Sequence, residues 1–143
     1  MKRYYYNNWL AKVLLYFSTC HTITLGWFVL SKRSSEEIPQ EVKNHETIHS
    51  MQWTEITMVS GLILLVLALW LNVSPWWMVA TPFIYYLWYV LEYLIKVFAF
   101  GYRAYRHISF EQEAYDNQSD EDYVENRRMF TGWLQKVFCV AKK

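Results

Sequence analysis

A long stretch of apolar side chains begins near the middle of the chain and follows a polar stretch without interruption. Residues 56–73 carry no charged side chain and are long enough to cross a bilayer as a helix. The polar residues 40–55 before them contain no Gly or Pro, so a helix is expected to begin near Gln40 and to continue into the span. The pattern therefore predicts one helix that is polar in its first half and crosses a membrane in its second.

A second apolar span follows after a short turn at residues 72–75. It covers about residues 76–99, and we expect Pro82 to kink it and Gly101 to end it. Two apolar spans joined by a short turn predict a mainly α-helical protein built on a transmembrane helical hairpin.

The N-terminal region carries two shorter patterns. Asn7 or Asn8 could cap a short helix over residues 9–17. Residues 22–30 are rich in β-branched and aromatic side chains and predict a short edge strand. An alternative reading makes residues 9–30 a third membrane span, because the run is long enough if its Ser, Thr and His side chains are tolerated.

The C-terminal region returns to mixed polar and aromatic residues. Residues 101–128 predict a solvent-facing helical segment with an acidic loop near residues 116–125. A C-terminal amphipathic helix is expected over about residues 127–141, lying on the membrane surface or covering the protein's own core. Its apolar stripe consists of Phe130, Trp133, Leu134, Val137, Phe138 and Ala141.

Composition narrows the function classes. The 143 residues suit a single domain over residues 1–143, and the net charge of +1 excludes a strongly basic nucleic-acid binder, so no nucleic acid is expected as a partner. Two cysteines, Cys20 and Cys139, are too few for a disulfide framework or a cysteine zinc finger. Any metal chemistry must therefore draw on the four histidines.

The charge distribution predicts the topology. Six Lys and Arg residues precede the first span, eight lie from Lys96 onward, and none lies in the turn between the spans. Because positive residues favour the cytoplasmic side, both flanking regions are expected there. The expected protein is thus an integral, two-span membrane protein in contact with the lipid bilayer, whose polar regions meet on one membrane face.

The candidate chemistry begins at His45, Glu46 and His49, which form an H-E-x-x-H pattern. On a helix the two histidines fall one turn apart on the same face and can bind one ion, while Glu46 can accept a proton. Two unremarkable surface histidines are the simpler interpretation. A catalytic zinc site needs a third protein ligand, and the candidates are His107, Glu111 and Glu113, with His21, Glu55 and Glu92 less favoured.

The pattern Glu111-Gln112-Glu113-Ala114 after H-E-x-x-H resembles the gluzincin metallopeptidases, particularly the membrane-embedded kind. The T-x-G of residues 24–26 followed by HExxHxxQ, which ends at Gln52, also resembles small uncharacterised bacterial membrane proteins. The resemblance implies a small zinc-metallopeptidase-like helical domain on one membrane face. It also implies that His45, His49 and Glu111 bind Zn²⁺ and that Glu46 is the general base. Tyr115 departs from the family's usual aspartate, which leaves Glu113 as a rival ligand.

The resemblance further implies hydrolysis of peptide bonds near the membrane surface. Zinc would lower the pKa of its bound water and polarise a carbonyl, and Glu46 would pass the proton to the leaving amine. His107 is the expected oxyanion stabiliser, with His21 as an alternative. The strand at residues 22–30 could receive an extended peptide or membrane-protein substrate, or could simply pack over the helix. A homodimer or partner protein could complete the cleft, and the bacterial inner membrane is the expected location.

Two other function classes remain open from the sequence. The first is a non-catalytic adaptor or assembly factor in which a structural zinc ion clamps the polar helices. The second uses Glu46 and His49 as half of a di-iron carboxylate site, which would need a second E-x-x-H that this chain lacks.

Overall fold

A computed structural model describes residues 3–137, which form a mainly helical protein with a small three-stranded sheet. The strands are β1 (Arg3–Tyr5), β2 (Thr22–Leu25) and β3 (Phe28–Ser31). The helices are α1 (Trp9–Leu14), α2 (Gln40–Leu71), α3 (Thr81–Phe100), α4 (Ala104–His107), α5 (Ser109–Asn117), α6 (Tyr123–Asn126) and α7 (Thr131–Val137). Short 3₁₀ turns at Pro75–Ala80 and Gly101–Arg103 flank α3.

The long helix α2 begins at Gln40 and is continuous to Leu71, as the sequence pattern predicts. Asn72 ends it in the left-handed conformation, with its backbone N–H donating to the Ala68 carbonyl. The second half of α2 exposes large apolar side chains such as Leu62 and Leu69. Such surface is stable in lipid rather than in water, because it carries no polar groups to bind water.

Helix α3 packs against α2 and completes two helices that are long and apolar enough to cross a membrane. The expected kink at Pro82 is wrong. Pro82 lies in the first turn of α3, where its missing N–H costs no hydrogen bond, so it begins the helix instead of bending it. Gly101 ends α3 with a positive φ of 56°.

The N-terminal region forms a helix and a sheet. The Asn8 side chain caps α1 by accepting from the Leu10 backbone N–H at 2.8 Å, although α1 is shorter than the expected helix. The expected single strand at residues 22–30 is wrong, because the chain reverses at Gly26 and Trp27. Gly26 has a φ of 62°, which suits the first central position of a two-residue hairpin turn. No helix of spanning length occurs in residues 3–39.

The sheet order is β1-β3-β2, with β1 parallel and β2 antiparallel to β3. The strand β2 therefore lies at an edge of the sheet and packs against the polar half of α2. At the turn, Gly26 donates its backbone N–H to the Tyr86 hydroxyl at 2.8 Å, which ties the hairpin to α3.

The region after α3 differs from the solvent-facing helix that its charge pattern predicts. The residues Ser109, Phe110, Glu111, Glu113 and Ala114 of α5 are all buried. Glu92 of α3 begins this helix by accepting from the Ser109 backbone N–H at 2.8 Å and from the Ser109 hydroxyl at 2.7 Å. Lys96 pairs with Glu92 at 2.5 Å, so this carboxylate near the end of α3 has a structural role. Tertiary contacts therefore override the polar appearance of the segment.

The C-terminal helix α7 begins at Thr131 rather than near residue 127. Trp133 is buried and its ring lies 4.9 Å from that of Phe110, so this part of the apolar stripe covers the protein's own core. Phe138 and Ala141, the last two positions of the expected stripe, lie outside the described residues.

Candidate metal centre

Two helices bring three potential metal ligands together. His45 and His49 lie one turn apart on α2, and their Nε2 atoms are 3.0 Å from each other. Glu111 of α5 faces both rings, with Oε2 at 3.4 Å from Nε2 of His45 and Oε1 at 3.3 Å from Nε2 of His49. The group is buried or nearly so. The side chains that the sequence singles out as ligands thus converge in space.

Glutamine side chains determine which nitrogen of each ring faces the cluster. Gln52 donates its amide N–H groups to the Phe110 carbonyl at 3.1 Å and to Glu113 at 2.9 Å, so its oxygen must face His49. This oxygen lies 2.9 Å from Nδ1 of His49 and accepts the Nδ1 hydrogen. The Gln118 oxygen takes the same position 3.2 Å from Nδ1 of His45. In neutral imidazoles so oriented, both Nε2 atoms point lone pairs at each other.

A cluster of two imidazoles and one carboxylate suits a cation. Burial lowers the pKa of His49, but the hydrogen bond to Glu111 and its charge outweigh this and raise it to about 9, so a proton occupies the cluster when no metal ion does. Oε2 of Glu111 is buried without a hydrogen-bond partner in the described part of the chain, which is costly for an anionic oxygen. Ligands that are 2.0–2.1 Å from a tetrahedral zinc ion lie about 3.3 Å from each other. The separations of 3.0–3.4 Å are close to that spacing, with each histidine facing a different oxygen of Glu111. With one ligand atom from each residue, all three lie within 4.8 Å of one another. His45, His49 and Glu111 could therefore hold a metal ion.

The rival carboxylate Glu113 faces a different partner. Its Oε1 is 2.5 Å from Nε of Arg127 and accepts from the Tyr123 hydroxyl at 2.9 Å. Arg127 also pairs with Glu55. Burial lowers the pKa of the Arg127 guanidinium, but the hydrogen bonds to both carboxylates outweigh this and raise its pKa above the ordinary value. Glu113 and Glu55 are thus committed to a buried ion cluster and not to the histidines.

The remaining candidate ligands are placed elsewhere. Glu92 holds Ser109 at the start of α5, as described above. His21 lines the same pocket as the cluster but does not belong to the three-residue group.

Glu46 lies on α2 between the two histidines and faces β2. The Thr22 hydroxyl donates to its Oε1 at 2.6 Å, and the Thr24 hydroxyl donates to its Oε2. Successive side chains of a strand point to opposite faces, so Thr22 and Thr24, which are two residues apart, point to the same face. The edge strand therefore orients the carboxylate beside the metal candidates.

A pocket of about 610 Å³ opens beside the cluster and contains Glu46, His45, His49 and Glu111 in its walls. Strand β2 forms another wall. The aromatic lining comes from Tyr85, Tyr86, Tyr89, Tyr105 and Tyr115. The pocket thus places an acidic group, a potential metal site and several hydroxyl groups around one space.

His107 does not line this pocket, so the expected oxyanion role is not supported by its position. Its ring stacks on Phe100 at 4.0 Å, and its backbone carbonyl accepts from Lys96. Tyr89 instead brings to the cluster a hydroxyl group that donates to Oε1 of Glu111 at 2.8 Å. Sequence reasoning missed this residue, although Tyr85 and Tyr89 are spaced i, i+4 and share a helix face.

Comparisons with protein-family models, with curated proteins and with solved structures find no match for this chain.

Proposed function

We propose that this chain is a membrane-bound zinc metallopeptidase that hydrolyses peptide bonds near the membrane surface. The observation that carries the proposal is the convergence of His45, His49 and Glu111 beside the carboxylate of Glu46 in one pocket. Three protein ligands leave a fourth position for water, which is the arrangement of catalytic rather than structural zinc sites.

The chain supplies distinct groups for hydrolysis. A bound Zn²⁺ would supply Lewis acidity and an activated water at neutral pH. Glu46 is the carboxylate that accepts and returns a proton, and the hydroxyls of Thr22 and Thr24 hold it in place. Tyr89 and Tyr105 line the pocket and replace His107 as candidates to stabilise negative charge on the substrate carbonyl oxygen.

The edge strand supports a peptide as substrate. Within the described residues β2 pairs only with β3, and its residues Thr22–Leu25 line the pocket. An extended peptide can add to such an edge through main-chain hydrogen bonds. Apolar pocket walls suit apolar side chains of that peptide, and they come from Leu15, Ile23, Leu25, Ile38, Pro39 and Val42.

The resemblance and the charge distribution support a location in a bacterial inner membrane, with the site on the cytoplasmic face. Peptides or membrane proteins that reach this face are the expected substrates. A second copy or a partner protein could complete the cleft.

The test uses full-length protein in detergent micelles, with zinc measured by elemental analysis and hydrolysis measured on a library of quenched fluorescent peptides. The His45→Ala variant is expected to lose zinc and activity. The Glu46→Gln variant is expected to keep zinc and lose activity, and Glu36→Gln, on an exposed loop, is the matched control.

Two results would overturn the proposal. The first is a wild-type protein that contains no zinc, which would refute the proposed metal site. The second result combines absent hydrolysis with a cobalt(II)-substituted protein whose spectrum shows four protein ligands. Such a closed site would favour the structural-zinc adaptor instead.

A further inference from the structure

A buried ion cluster lies behind the metal candidates. The side chain of Arg127 is 1% exposed, and those of Glu55 and Glu113 are 3% and 0% exposed. The Trp133 indole N–H donates to Glu55 at 3.0 Å. Burying three charges is costly and adds little stability compared with apolar packing. Fold stability alone therefore does not explain why these three charged side chains are buried.

A continuous chain of hydrogen bonds joins this cluster to the metal site. Arg127 holds Glu113 through Nε at 2.5 Å and through a second guanidinium nitrogen at 3.2 Å. Glu113 accepts from the Gln52 amide at 2.9 Å, and the Gln52 oxygen faces Nδ1 of His49 at 2.9 Å. Three side chains, those of Arg127, Glu113 and Gln52, thus connect the segment between α6 and α7 to His49, a candidate ligand on α2.

Glu113 and the Phe110 carbonyl together fix the direction of the Gln52 amide, because both accept from its N–H groups. A primary amide has a donor end and an acceptor end, and the two can exchange by rotation about the last side-chain bond. With Glu113 held in place, the donor end faces Glu113 and the acceptor end faces Nδ1 of His49. If the amide turns over, its N–H groups face Nδ1, the ring hydrogen moves to Nε2, and Nε2 can no longer bind an ion.

We propose that Arg127 is a positioning residue for the metal site, because it holds Glu113 so that Gln52 keeps His49 with its hydrogen on Nδ1 and its lone pair on Nε2. The inference rests on the proposed metal site and adds a regulatory link from the C-terminal segment to it. Residues that orient a metal-binding histidine typically change metal affinity by about 10–100-fold.

The first experiment compares Arg127→Met with wild type in detergent micelles. Zinc affinity is measured by competition with a chromophoric chelator. The hydrogen position on His49 is read from ¹⁵N spectra of metal-free protein at alkaline pH, where the imidazole is neutral and carries one hydrogen. We expect zinc binding about 10–100-fold weaker in Arg127→Met and a mixture of the two His49 tautomers. Arg128→Met is the matched control, because Arg128 is the neighbouring exposed arginine and should leave both readouts unchanged.

A double-mutant cycle separates positioning from a general loss of structure. The Gln52→Met variant keeps the Arg127 ion cluster but cuts its connection to His49. If Arg127 acts through Gln52, Arg127→Met should change zinc affinity by no more than about twofold in the Gln52→Met background. An equally large effect in both backgrounds would show that Arg127 acts only through overall structure.

The outcomes distinguish this inference from the proposed function. Wild-type protein that binds no zinc refutes the metal site itself. If wild type binds zinc and Arg127→Met binds it with the same affinity and keeps the same His49 tautomer, only the role of Arg127 is refuted. Should Arg127→Met fail to fold, Arg127→Lys is measured instead, because it keeps a buried cation. We expect Arg127→Lys to bind zinc severalfold more weakly than wild type, and unchanged zinc binding would overturn the inference.

Discussion

Glu111 and Glu113 lie two residues apart on α5, and their placement predicts that the same substitution has a different main effect at each position. Both carboxylates are buried, and Glu→Gln removes the charge with little change in shape. Glu111 faces the Nε2 atoms of the two histidines, whereas Glu113 faces Arg127. Glu111→Gln should therefore act on metal binding and Glu113→Gln on stability.

The magnitudes follow from these contacts. Removing a residue that only orients a ligand costs about 10–100-fold in metal affinity, so removing the anionic ligand Glu111 should cost more than about 100-fold, or about 2.7 kcal/mol. Metal-free Glu111→Gln should be moderately less stable than wild type, because the substitution removes the carboxylate that pairs with His45 and His49 and accepts from the Tyr89 hydroxyl. Breaking a buried ion pair costs about 3–5 kcal/mol. The loss of stability in Glu113→Gln should lie at the lower end of this range, because the amide still forms hydrogen bonds and Glu55 still pairs with Arg127.

Two measurements on metal-free protein in micelles test this pair. Competition with a chromophoric chelator gives the zinc affinity, and thermal unfolding followed by circular dichroism gives the relative stability. Glu113→Gln acts on zinc binding only through Gln52 and should weaken it by about 10–100-fold, which is less than the loss expected for Glu111→Gln. The reasoning is refuted if Glu111→Gln binds zinc as tightly as wild type, or if Glu113→Gln is the weaker zinc binder of the two.

Three further predictions concern stability and topology. A Cβ atom at Gly132 would overlap a buried carboxylate, so Gly132→Ala should destabilise the protein by about 1–3 kcal/mol, whereas Gly61→Ala, with only an ordinary contact at 3.9 Å, should be neutral or stabilising in thermal unfolding. Burial raises the pKa of Tyr4 from 10.0 to about 12, so the protonated hydroxyl favours the folded state below pH 10 and this contribution is lost between pH 10 and 12. Tyr4→Phe should therefore lose less stability than wild type across that pH range in chemical unfolding, and an equal loss would contradict the assignment. Single cysteines in a cysteine-free background should be labelled by a membrane-impermeant maleimide from opposite sides of the membrane at Ser35 and Ser74, and labelling from one side would refute the hairpin topology.

The elements that depend on local pattern were predictable. A stretch of uncharged residues over 56–73 predicts a spanning helix wherever it lies in a fold, because only its length and polarity matter. The same holds for the one-turn spacing of His45 and His49, which the helical repeat imposes on any continuous helix. The turn at Gly26 was within reach of the sequence as well, since a glycine between two β-branched runs suits a two-residue hairpin.

The choice between neighbouring polar residues needed the tertiary structure. Side chains two positions apart on a helix point about 200° away from each other, so Glu111 and Glu113 cannot both face the histidines. Only the way α5 docks on α2 decides that Glu111 meets His45 and His49 while Glu113 meets Arg127. The position of His107 beside Phe100 depends in the same way on how α4 packs against α3. Spacing along a chain determines which residues share a face, and long-range packing determines what that face meets.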